Sequence, residues 1–169
     1  MTRSIFAAAA TLVLAACGGS STGLGQSGHC SVTLSGAQTG TYDCQTAFAA
    51  WDSSKNQGSF GFQVAQSGTA PGIVAAITFP GEPHSATFSQ SDTGASGGVI
   101  VSGASSSYWI ASSDASSTQG TYSLKLTGVS SAYSNSSGKT YSTTGTVDGT
   151  LPAASGSGAS GTVTLHATF

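Results

Sequence analysis

The chain has 169 residues, of which 38% are apolar and only 6% charged, and it carries 32 serines, 22 threonines and 24 glycines. That length holds one domain with a single core, and hydroxyl groups and exposed backbone, not charge, must keep it in solution. Beyond Arg3, three scattered lysines stand against six acidic residues, a net of −3, so the basic stripe that nucleic-acid binding requires is missing.

Met1 to Arg3 form a short positive segment, and Ile5 to Ala16 an apolar run of the length of a signal-peptide core, too short to cross a bilayer. The run ends in Leu14-Ala15-Ala16-Cys17, which resembles the lipobox of bacterial lipoproteins. The resemblance covers residues 1 to about 21. It implies that residues 1–16 are removed and that Cys17 carries acyl chains holding the protein on a membrane. Gly18 follows the cysteine, where lipoproteins retained at the inner membrane usually carry Asp, so the resemblance implies an outer-membrane address. Each buried methylene contributes about 0.8 kcal/mol, so two or three chains make a lasting anchor. Residues 17–28 then read as the acylated cysteine and a flexible Gly/Ser tether, with too few apolar residues to fold.

With Cys17 acylated, Cys30 and Cys44 remain as a pair in a compartment that permits disulfides. Val32 and Leu34 alternate with polar residues, Gly36 to Gly40 turn, and Tyr42 and Cys44 resume the alternation. A hairpin centred near Ala37 places Cys30 opposite Cys44 and Val32 opposite Tyr42 on one face. The bridge is expected to be structural, since the Cys-x-x-Cys spacing of redox pairs is absent.

From there the chain offers short period-two runs separated by Gly, Ser and Pro, with no convincing helix. Strand patterns fall at Phe60 to Val64, Ile73 to Phe79, Ala86 to Phe88, Val99 to Val101, Tyr108 to Ala111, Tyr122 to Leu126, Tyr141 to Val147 and Val163 to Phe169. Residues 29–169 are therefore expected to form an all-β domain, an antiparallel β-sandwich of about eight or nine short strands. The terminal Phe169 resembles the last strand of outer-membrane barrels, but Ser-rich strands depart from the long apolar ones such barrels need.

Chemistry-bearing residues are thinly spread. Glu82 and His84 share the turn Pro80-Gly81-Glu82-Pro83-His84, where a carboxylate and an imidazole could serve a metal-dependent hydrolase, although exposed turns commonly hold such residues. His29, His84 and His166 lie far apart, without the close spacing of metal motifs. No cofactor, metal site or catalytic set is expected, and the chain reads as a non-enzymatic structural or interaction protein, its partners a membrane and an envelope protein or glycan. Tyr108 and Trp109 are adjacent in a strand and point to opposite faces, so at least one should reach the surface. Together with Trp51 they are the candidates for stacking on a sugar ring in a glycan-binding module.

Overall fold

The computed structural model describes residues 29–44, 46–113 and 120–169. Cys17, the signal segment and the tether lie outside the described residues. Eleven antiparallel strands follow in order: β1 (Ser31–Gly36), β2 (Gly40–Asp43), β3 (Thr46–Asp52), β4 (Gln57–Val64), β5 (Gly72–Pro80), β6 (Ala86–Ser89), β7 (Ser96–Ser102), β8 (Tyr108–Ser112), β9 (Thr121–Asn135), β10 (Gly138–Pro152) and β11 (Thr162–Thr168). The all-β expectation holds, with more strands than the eight or nine foreseen. The additional ones are β2, recognised only as a hairpin arm, and β3, whose Ala-Phe-Ala-Ala-Trp sequence shows no clear period.

The strands form one hydrogen-bonded network, in the order β2-β1-β11-β10-β3-β4-β5-β7-β8, with β9 against β10 and β6 against β9. β10 turns this network into two layers. One of its edges pairs with β3 through Gly138–Tyr141 and then with β11 through Thr146–Pro152, while the other follows β9 along its whole length. One layer is therefore β6-β9-β10-β11-β1-β2 and the other is β3-β4-β5-β7-β8. Just past β10, a bridge between Trp109 and Ala153 ties β8 back, with the Ala154 amide donating to the Tyr108 carbonyl at 3.0 Å.

Alternation explains how each layer presents one apolar face. In the first layer Phe88, Leu124, Val147, Ala167 and Val32 lie in register across five strands, and all are buried. In the second, Ala111, Val99, Ala75, Phe62 and Ala47 make a matching row. Aromatic rings join the layers: Phe60 meets Phe169 at 4.4 Å between centroids, and Phe79 stacks on Phe88 at 4.0 Å. Each fully buried side chain of this size contributes roughly 1.5–3 kcal/mol, which offsets the ordering of so Gly-rich a chain.

The first hairpin has the register expected from its sequence. Val32 faces Tyr42, and the disulfide joins Cys30 to Cys44 with a Cα–Cα distance of 5.0 Å. Where β5 meets β7, only glycine fits at position 97: its φ is +110°, and a Cβ there would collide with the Ala76 carbonyl.

Candidate functional site

The two layers leave polar side chains in two distinct places. The first is an end of the core, where the β5–β6 turn folds over β10. Pro80, Gly81 at φ +82° and Pro83 shape this turn, directing the Glu82 carboxylate onto β10. There it accepts hydrogen bonds from Lys139 Nζ at 2.8 Å and from the Tyr141 hydroxyl. Lys139 and Tyr141 are two apart on one strand and so share a face. The hydrogen bond from Lys139, and then that from Tyr141, hold the Glu82 carboxyl below the usual carboxylate range. Burial, and next the neighbouring carboxylate, push the Tyr141 phenol up out of reach of physiological deprotonation. Lys139 also lies 5.4 Å from the Trp51 ring centroid, a cation–π distance that fits their direct pairing across β10 and β3.

This cluster decides how Glu82 and His84 are to be read. One carboxylate oxygen of Glu82, Oε1, accepts from both Lys139 and Tyr141, partners 57 and 59 residues away. His84 donates from Nδ1 to the Glu82 backbone carbonyl at 2.9 Å and sets its ring edge-on to Phe88. The pair fastens a turn. Among the described residues, no three His, Cys, Asp or Glu side chains gather as a metal site would require, and His29, His84 and His166 do not assemble. His29 pairs with Asp43 at 3.3 Å, and His166 donates from Nδ1 to Asp148 at 2.6 Å.

The second place is the outer face of the first layer. Ser123, Asp148, His166, Thr33 and Thr41 stand in register across β9, β10, β11, β1 and β2. Thr121, Thr150, Thr164 and Ser35 form the adjoining row. Between the rows runs a shallow depression of about 280 Å³, edged by Thr121, Asp148, Thr150, Thr164 and His166. It is open to solvent; threonine hydroxyls stand at its edge, while most of its lining surface is apolar and includes Gly149 and Leu165. So open a surface does not enclose a small molecule.

The aromatic candidates divide. Trp109 is only 4% exposed, packs in the core and donates from Nε1 to the Ser160 carbonyl at 3.1 Å, so it presents no ring face to a ligand. Tyr108, on the other phase of β8, is half-buried, as the alternation of adjacent residues required. Trp51 is half-buried beneath Lys139 at the core end. Tyr108 and Trp51 sit on strands separated by β4, β5 and β7 and do not form one platform. Sequence reasoning missed Lys139 and Tyr141 as partners of Glu82. The available signal was their shared strand phase, which does not reveal what they face.

No family model matches the chain, no curated relative matches it, and no solved structure matches it.

Proposed function

We propose that the chain is an extracytoplasmic lipoprotein. Acyl chains on Cys17 would hold it to a membrane, residues 17–28 would act as the tether, and the β-sandwich would serve a structural or interaction role without catalysis. One observation supports this above others: Cys30 and Cys44 form a disulfide, which accounts for two of the three cysteines and leaves Cys17, at the end of the apolar run, as the third. A structural disulfide suits an oxidising compartment. Gly18 in place of Asp favours the outer membrane.

The test is metabolic labelling of cells with radioactive palmitate, followed by partition between detergent and water. The native chain is expected to take up label and enter the detergent phase, and Cys17→Ala to lose both properties. An unlabelled native chain recovered in the aqueous phase would overturn the reading.

A second reading, an envelope glycan-binding module, draws support from the hydroxyl-edged depression and the half-exposed Tyr108. Retention of the protein on insoluble polysaccharide, reduced by His166→Ala or Tyr108→Ala, would favour it. Equal elution of native and altered chains across a broad panel of glycans would remove it.

A further inference from the structure

The β9–β10 hairpin extends beyond the layer it belongs to. β6 covers the far edge of β9 only from Ser123 to Leu126, and the Ser85 hydroxyl closes that contact on the Thr127 carbonyl at 3.2 Å. Among the described residues, no strand pairs with that side of the nine residues from Thr127 to Asn135. They span about 25–30 Å of extended backbone. The opposite edge of the hairpin is occupied near its tip, where Gly138–Tyr141 of β10 pair with β3.

The arm is held in place. The Asn135 side chain accepts from the Ser137 and Gly138 amides at 2.9 and 3.0 Å, and Ser53 bonds through its amide and hydroxyl to the Ser137 carbonyl. Its free edge is therefore already extended, and little ordering entropy remains to be lost when it gains a partner.

Edge strands normally carry a guard against pairing: a charge, a proline or a very short length. Residues 127–138 contain neither a charged residue nor a proline. Extra residues at Ala132 and at Thr127 relative to β10 bend the strand, and these two irregularities are the guard it carries. β2 and β6 also end the layer, but each is four residues long, and β2 carries Asp43 while β6 follows Pro83. Tyr133, 54% exposed, is the one large apolar side chain at the surface among the described residues, and it lies on this edge.

We infer that the β9 edge pairs with the same edge of a second copy of the chain, antiparallel and about a two-fold axis at Tyr133. In that register Tyr133 faces Tyr133 of the second copy, and Ser131 faces Asn135. A neutral strand is the complement that meets no charge of its own sign, whereas a foreign strand finds on this edge no pocket or charge by which to be selected. Two-fold pairing covers the exposed tyrosine with its own equivalent, where aromatic neighbours across strands attract, and it uses up both edges, so the assembly closes at two. The partner's β6 then lies beyond the hairpin tip, because each β6 reaches only Leu126. So narrow a contact falls short of a standard interface, and the dimer fraction should rise with concentration. The inference does not depend on acylation of Cys17.

The test uses the full chain purified in detergent. Tyr133→Cys is expected to give a covalent dimer on mild oxidation at several times the yield of Lys55→Cys, whose exposed position in the β3–β4 turn reports chance encounter within micelles. Adding Ala132→Lys, at an exposed position on the same edge, should return the yield to that control while far-ultraviolet circular dichroism stays unchanged. In the unaltered chain, amide hydrogen exchange from Val129 to Asn135 should slow as protein concentration rises. Equal yields for Tyr133→Cys and Lys55→Cys, or exchange independent of concentration, would overturn the inference. Dimer capture through Tyr133→Cys that survives Ala132→Lys would overturn the edge pairing as well.

Discussion

Replacing Cys30 and Cys44 by alanine tests whether the N-terminal disulfide is a structural clasp. The bridge closes a loop of sequence separation 14, and a loop of that size restricts the unfolded chain by about 3 kcal/mol in the chain-entropy account. For a folded body of about 140 residues, the unfolding entropy is near 0.3 kcal/mol per kelvin, so the expected loss of Tm is about 10 °C. The loss should have a local signature as well. β1 stays held by its six register pairs with β11, whereas β2 has only four pairs with β1 and an open outer edge. Its amides should therefore lose protection first. Scanning calorimetry of the native and double-alanine chains measures the shift, and hydrogen exchange locates it. A Tm change of less than about 2 °C, or an equal fall when reductant is added to the double-alanine chain, would refute the reasoning.

Truncating Phe79 to alanine removes a ring with no exposure that stacks on Phe88, and chemical denaturation should show a loss of about 3–5 kcal/mol. Gly97→Ala forces a side chain into a left-handed backbone against the Ala76 carbonyl. It should cost at least about 1–3 kcal/mol by the same measurement. The depressed Glu82 carboxyl gives stability that is complete above its ordinary value of 4.5 and is lost as pH falls through the lower folded value. Glu82→Gln should therefore weaken the fold at neutral pH and flatten its acid dependence, read from urea midpoints at pH 7 and below. Trp109→Ala should act as a core truncation, lowering stability by about 3–5 kcal/mol in urea titrations.

Much of the first layer was legible because β1, β2 and β11 alternate cleanly: Val32 with Tyr42 and Val163 with Leu165 each follow from a period of two. β10 was harder. Its buried positions, Tyr141, Thr143, Val147, Gly149 and Leu151, keep one phase, but Thr143 and Gly149 are not apolar core residues and Gly145 interrupts the row, so the sequence does not announce one continuous 15-residue strand; the two register shifts fall on β9, at Ala132 and Thr127. The distal half of β9 was illegible for a different reason. Ser130 to Asn135 are exposed on both faces, and a strand with no buried side leaves no alternation to detect. In β8 the opposite obstacle arises, since Trp109, Ile110 and Ala111 are all buried in succession. The Glu82 fastening depends on a chain reversal that brings residues nearly sixty positions apart together, and no local pattern encodes it.

The pairing of β1 with β11 couples Ser31 to Thr168 and Gly36 to Val163, so the earliest and latest strands of the body meet side by side. Such distant partners make for slow assembly, because loop-closure entropy is lost before the contacts return it. A growing chain halted short of Thr162 would leave β1 and β10 with bare flanks, and the clasped N-terminal hairpin would have no neighbour to rest on. Closure of this body therefore waits for β11, and the first layer cannot be completed strand by strand in the order of the sequence.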